Sequence, residues 1–361
     1  MWKFLAPRVI FGEDSVEFLE RYEDSRPVVV TDKVMVELGH LDTIGKHLGE
    51  FEVYAAEPRE PLKSDALDLA ERIRELNPDI IIALGGGSVI DLAKAGRILS
   101  EVEMEPEEIT PFTDLRDYGF EKRTEFIAIP TTSGTGSEAS WAIVLKDEEE
   151  DRKVVMANEE VVPDYAIVDP VFVKSMPGKL VISTGFDALS HAVEAFLSTF
   201  SNPFSDALAV RATRDILENI EKSFEGDEMA REVMHISATM AGMAFSNSQV
   251  GVVHALAHAF GAVMNVPHGD AIAGFLLPVL EFYRERGVER LDELSRLVGF
   301  DVMERIREIS ERFDVFSVFS EKPFDDAIPE IVEKAMQDSC VITGPFVPDA
   351  EDLENILRRL V

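Results

Sequence analysis

The chain has 361 residues, 46% hydrophobic and 29% charged, which excludes a disordered or collagen-like polymer and, at roughly 150 residues per domain, suggests two domains. Lys and Arg number 35 against 69 Asp and Glu, a net charge of −34 that argues against nucleic acid and anionic membranes as partners. Cys340 is the single cysteine, so no disulfide forms within the chain, and the N-terminal residues show no signal-peptide pattern; the expected location is cytoplasmic.

In chain order, the first half alternates strand-like and helix-like signals. Unbroken apolar runs at 27–31, 79–84, 126–130 and 165–170 suit strands buried on both faces of a parallel sheet. Between the first two, residues 64–76 carry helical spacing of apolar positions and then meet Asn77-Pro78, a stop signal. A charge run at 147–152 predicts a turn in water. The pattern changes after Met176-Pro177-Gly178, and the domain boundary is placed there, giving domains 1–178 and 179–361. Beyond it the signals are helical: one helix over 187–197, another opened by Asn202-Pro203, and a surface helix over 281–307 with charges four apart.

Residues 233–269 contain no Asp, Glu, Lys or Arg, a run longer than the ~20 residues a membrane span needs. Its Ser, Thr, Asn, Gln and His content would be costly in lipid, so buried helices around a polar site explain it better. The strong acidity has two readings. One is adaptation to high salt; the other is a well-solvated acidic surface. A titration of stability against salt separates them.

Four groups of residues carry chemistry. Gly85-Gly86-Gly87-Ser88 follows one strand and precedes a predicted helix over 89–99. Glycines there let the backbone approach a phosphate, and the helix start supplies free N–H groups. The alternative is a tight strand-to-helix turn; neither the G-x-G-x-x-G fingerprint nor a Walker loop is present. The second group, Pro130 to Glu138, includes Thr131, Thr132, Ser133, Gly134 and Thr135 and again follows a strand, where α/β sheets bind ligands. Third is Asp32, at the end of the first strand, where a carboxylate can hold adenosine ribose hydroxyls and repel a 2′-phosphate; the alternative is an ordinary turn aspartate.

The fourth group is the histidines. Asp187 and His191 share one helix face, His254 and His258 share another, and His268 follows in a turn. One Asp with three His suits a divalent first-row metal such as Fe2+ or Zn2+, against the alternative of satisfied core histidines. A zinc protease is disfavoured because no H-E-x-x-H is present.

At these residues the sequence resembles the iron-containing (group III) alcohol dehydrogenase family over nearly its whole length. Gly85 to Asp91, Pro130 to Glu138, Gly185 to Glu194 and His254 to Gly269 look like its signatures, in order and at its spacing. The resemblance implies an α/β Rossmann-like dinucleotide domain with a parallel sheet, an all-α metal-binding domain in a dehydroquinate synthase-like fold, and a site between them. It implies Asp187, His191, His254 and His268 as metal ligands and His258 as the proton-transfer residue. It also implies cofactor contacts at Asp32, Gly86, Gly87, Ser88, Asp91, Thr131 to Thr135, Ser140 and Lys153, with NAD preferred over NADP. The implied activity is metal-dependent hydride transfer between a small alcohol or aldehyde and nicotinamide, in a homodimer.

Two positions depart from the family pattern: Glu60-Pro61 stands where many members carry Asn-Pro, and Gly344-Pro345-Phe346 where Asn-Pro-Arg is frequent. The rival readings are a glycerol or glycerol-phosphate dehydrogenase, a dehydroquinate synthase, and a non-catalytic NAD- and metal-binding relative. Phosphate or acid substrates need clustered cations, and between 180 and 270 these occur only at Arg211, Arg214, Lys222 and Arg231.

Overall fold

The four apolar runs become the four inner strands of one parallel sheet. A computed structural model describes residues 3–149 and 152–361, and the chain divides into two compact units, Met1–Ser175 and Met176–Val361. The first unit has strands β1 (Arg8–Phe11), β2 (Pro27–Asp32), β3 (Glu52–Ala56), β4 (Ile80–Gly85), β5 (Glu125–Pro130), β6 (Ala142–Asp147), β7 (Arg152–Ala157) and β8 (Tyr165–Val168). Six pair in the order β1-β8-β5-β4-β2-β3, all parallel, and β6 pairs with β7 as a separate antiparallel ribbon.

Side-chain alternation splits the apolar runs between two cores. In β4, Ile81 and Ala83 face the helices Lys63–Leu76 and Gly87–Glu101, while Ile80, Ile82 and Leu84 pack with Ile44, Leu48 and Phe172 on the other face. The two helices pack closely because Gly96 lies against Leu69; a Cβ at Gly96 would sit 2.6 Å from Leu69 Cδ2. The chain turns outward from β2 to β3 and then crosses to β4 on the opposite side of β2. Such a reversal opens a crevice at the carboxyl ends of the strands.

Among its described residues, every secondary-structure element of the second unit is helical. Its long helices are Gly178–Leu197, Pro203–Phe224, Glu228–Ser246, Val252–Met264 and His268–Glu285, around one apolar core that includes Phe186, Phe260, Phe275 and Leu256. Gly178–Leu197 is long and apolar enough to cross a membrane, but 83% of that window is buried within the fold, as befits a core helix. The charge-free run at 233–269 is divided among three helices by breaks after Ser246 and Met264.

Three expectations need correction. The glycine-loop helix begins at Gly87, so Gly87 and Ser88 already form its first turn. His268 opens the His268–Glu285 helix and does not lie in a turn. The continuous surface helix over 281–307 is three helices, ending at Glu285, spanning Arg290–Val298, and starting again at Val302. Gly287 (φ 74°) and Gly299 (φ 99°) adopt left-handed backbone at the breaks, which overrides the charge pattern. The acidic turn at 147–152 lies partly outside the described residues; Asp147 ends β6 and Arg152 begins β7.

Candidate active site

In the first unit the glycine turn and the hydroxyl loop leave neighbouring strands side by side, since Gly85 of β4 is in register with Pro130 of β5. The Thr131 N–H donates to the Gly85 carbonyl at 3.0 Å. Gly87 must be glycine: a Cβ there would lie 2.7 Å from Thr135 Cγ2 and 2.8 Å from its Oγ1. Gly86 caps the helix, Ser88 is exposed on its first turn, and the free N–H groups of that turn form an anion-binding end. Thr131, Ser133 and Gly134 are buried, while Thr132 and Thr135 are partly exposed; a Cβ at Gly86 would touch Thr132.

The other expected cofactor residues divide. Asp32 ends β2 on the far side of β4 and caps the Lys33–Glu37 helix, accepting from Met35 N at 2.9 Å through Oδ1. Asp91 uses both carboxylate oxygens within the protein, accepting from Ser137 Oγ and from Val144 N at 2.9 Å. Ser140 is buried, its hydroxyl 3.2 Å from Lys94 Nζ. Lys153, exposed on β7, pairs with Glu60 at 3.0 Å, so the glutamate that departs from the family pattern faces an expected cofactor contact.

In the second unit the Asp and three His converge. Asp187 and His191 sit one turn apart on the Gly178–Leu197 helix, His254 on Val252–Met264, and His268 opens His268–Glu285. The Nε2 atoms of His268, His191 and His254 lie 3.4, 3.8 and 3.9 Å from one atom, Asp187 Oδ1. With metal–ligand bonds of about 2.0–2.2 Å, ligand atoms around one ion stand roughly 3 to 4 Å apart, the spacing found here from Asp187 Oδ1 to each imidazole. Asp187, His254 and His268 offer atoms all within 4.8 Å of one another, whereas His191 reaches Asp187 without joining that mutual set.

Among the described residues, two of these atoms, Asp187 Oδ1 and His254 Nε2, are buried without a hydrogen-bond partner. Orphaned polar atoms cost about 1–3 kcal/mol each, and a cation in their midst removes that cost. Burial works to raise the Asp187 carboxyl, but the facing His191, His268 and His254 outweigh it and hold it well below the usual carboxylate range. Burial and the neighbouring His191 and His268 depress His254 well below its ordinary value. An ionised Asp187 beside a neutral His254 is the protonation state in which this pair binds a metal. The residues present fit a divalent ion.

His254 is oriented from behind. Glu194, fully buried on the helix carrying Asp187 and His191, accepts from His254 Nδ1 through Oε2 and from Val253 N at 2.8 Å through Oε1. Burial raises the Glu194 carboxyl to about 7. His258 stacks on His268 with ring centroids 5.2 Å apart, and its Nδ1 donates to Asp338 Oδ2 at 2.8 Å. Asp338 also accepts from Cys340 N at 2.8 Å. Burial pushes the Cys340 thiol well above its usual value.

Sequence reasoning passed over Glu194 as a partner of His254, and Asp338 altogether. Glu194 carried a signal, because positions 187, 191 and 194 share one helical face. Asp338, eighty positions from His258, carried none.

The iron-containing alcohol dehydrogenase model matches residues 6–170, and the C-terminal model of the Fe-containing alcohol dehydrogenase family matches 181–361. An alcohol dehydrogenase of Thermococcus barophilus is 35% identical, the alignment covering 98% of each chain. The NADPH-dependent butanol dehydrogenase of Clostridium saccharobutylicum is 34% identical over 99% of this chain and 97% of its own. The solved iron-containing alcohol dehydrogenase from Thermococcus thioreducens superposes with a TM-score of 0.91 at 32% identity, covering 100% of this chain and 99% of that one. The chain belongs to the iron-containing alcohol dehydrogenase family and is an alcohol dehydrogenase-type oxidoreductase.

Proposed function

We propose that this protein transfers hydride between a small uncharged alcohol and NAD, and the reverse from NADH to an aldehyde, with a divalent metal held by Asp187, His191, His254 and His268. The observation that carries the reading is the convergence of three imidazole Nε2 atoms on one buried, unpartnered carboxylate oxygen. Fe2+ is the proposed metal on the family resemblance, with Zn2+ accepted by the same ligands. When bound, the metal supplies Lewis-acid polarisation of the substrate oxygen, and the nicotinamide supplies the hydride acceptor or donor.

The chain's own residues do the rest. The first turn after Gly86 and the Thr131–Thr135 loop bind the dinucleotide phosphates and ribose through backbone N–H groups and hydroxyls. Asp32 faces the adenosine ribose and disfavours a 2′-phosphate, supporting NAD over NADP. Asp338 keeps the His258 proton on Nδ1, leaving Nε2 as the atom that takes up or releases the substrate proton.

A phosphate or carboxylate substrate is disfavoured by where the cations are spent. Arg211 and Arg214 pair with Asp215 and Glu218 on their own helix, and Arg231 donates to the Ser223 carbonyl. The highly exposed Lys179 faces Asp270 at 3.5 Å. A cytoplasmic homodimer completes the proposal, on the family resemblance alone. The test is reduction of NAD by metal-loaded protein: turnover of uncharged alcohols supports the reading, and turnover confined to glycerol phosphate overturns the substrate class.

A further inference from the structure

Lys94 lies on the Gly87–Glu101 helix, two turns from the glycine loop, and is 1% exposed. Its Nζ donates to the carbonyl of Ser140 at 2.8 Å and that of Ala142 at 3.2 Å, with the Ser140 hydroxyl at 3.2 Å and the Ser137 hydroxyl at 3.4 Å. One turn earlier, Asp91 accepts from Ser137 and from Val144 N. The helix that starts at one expected cofactor loop thus grips, with a buried cation and a half-buried carboxylate, the segment where the other loop runs into β6.

A buried ammonium is expensive compared with an apolar side chain of the same length, so packing alone does not account for it. Burial pulls the Lys94 amine down to about 8, opposed by Asp91 and Glu138. The same burial raises Asp91, opposed by Lys94. What the ammonium adds is three donors aimed at the loop exit, where main-chain carbonyls of 140 and 142 point inward.

We propose that Lys94 is the positioning residue of the dinucleotide site, fastening the 131–140 loop to the glycine-turn helix so that both loops are presented to the cofactor in one fixed arrangement. The inference rests on the reading of these two loops as the dinucleotide site. Lys94 touches no reacting atom in this account. Its effect passes through Ser137, Ser140 and the backbone they carry.

The experiment is a fluorescence titration of NADH into the metal-loaded wild type and into Lys94→Met, with kcat at saturating NADH, metal content and Tm measured alongside. A displaced loop predicts an NADH Kd at least about 10-fold higher, a loss of about 1.4 kcal/mol of binding, with kcat at saturating NADH within about 3-fold of wild type and unchanged metal content. Lys94→Gln, which keeps a donor without the charge, is expected to fall between the two, and it takes over the test if Lys94→Met does not fold. A folded variant with wild-type NADH Kd overturns the proposal, even when its Tm is lowered, because that is the signature of a merely structural lysine. Wild-type protein that binds no dinucleotide overturns the functional reading itself, and the inference with it.

Discussion

Glu194 holds the imidazole of His254 at Nδ1 with one carboxylate oxygen and the neighbouring Val253 N–H with the other. That single buried side chain ties the helix bearing Asp187 and His191 to the helix bearing His254. It also leaves His254 Nε2 as a lone pair facing Asp187 Oδ1, 3.9 Å away. Glu194→Gln cannot serve both partners, because its amide nitrogen must face one N–H or the other. Either the helix start or the His254 tautomer is lost. Metal affinity is therefore expected to fall roughly 10- to 100-fold, read by chelator competition, with dinucleotide binding unchanged. His254→Ala is expected to lose bound metal and activity together.

Asp338 plays the matching part for His258. Asp338→Asn presents an amide N–H to Nδ1, which drives the ring proton to Nε2 and blocks proton exchange there. A fall of roughly 10²-fold in kcat/KM is expected with metal content unchanged, measured by steady-state kinetics and metal analysis on the same preparation. A wild-type pH profile and rate in the variant would remove His258 from the proton path.

Asp32 caps a helix and is proposed to hold the adenosine ribose as well. Replacing it by glycine is expected to raise the kcat/KM ratio for NADP over NAD, since the repelling carboxylate is gone. The same change deletes the cap on Lys33–Glu37, where Asp32 accepts from Met35 N, and costs a few tenths of a kcal/mol of stability. An unchanged cofactor ratio assigns Asp32 to capping alone.

Gly87 and Thr135 test the contact between the two loops. A Cβ at Gly87 meets Thr135 Cγ2 at 2.7 Å, so Gly87→Ala is expected to destabilise by about 1–3 kcal/mol and to weaken NADH binding. Adding Thr135→Ala removes the clashing atoms, and thermal unfolding of the double variant is expected to recover most of the loss.

The sequence made the sheet legible where burial is two-sided. The runs around Val28–Val30, Ile80–Leu84, Phe126–Ile129 and Tyr165–Val168 are the inner strands β2, β4, β5 and β8. The edges β1 and β3 escaped because strands open on one side carry mixed side chains, as in Glu52 to Ala56. The β6–β7 ribbon escaped for the same reason, with Lys146 opposite Lys153. In the helical unit, the charges between Glu281 and Arg307 imitated one long helix, and the left-handed glycines at 287 and 299 were the overlooked signals. Helical spacing paired Asp187 with His191 and His254 with His258, while the choice of four ligands, His268 among them, came from the family resemblance. Glu194 shares the helical face of Asp187 and His191, an overlooked signal, whereas Asp338 reaches His258 across the fold, where spacing along the chain is silent.

The Asp187 and histidine cluster is proposed to hold the metal on which alcohol oxidation depends. The most direct measurement is NADH production by anaerobically purified protein, stripped of metal and reloaded with Fe2+ or Zn2+, against short alcohols, diols, glycerol and glycerol phosphate. Expected are no turnover after stripping, restored turnover of an uncharged alcohol on reloading, and no restoration in His254→Ala. Turnover that survives stripping, or that His254→Ala retains, contradicts that assignment.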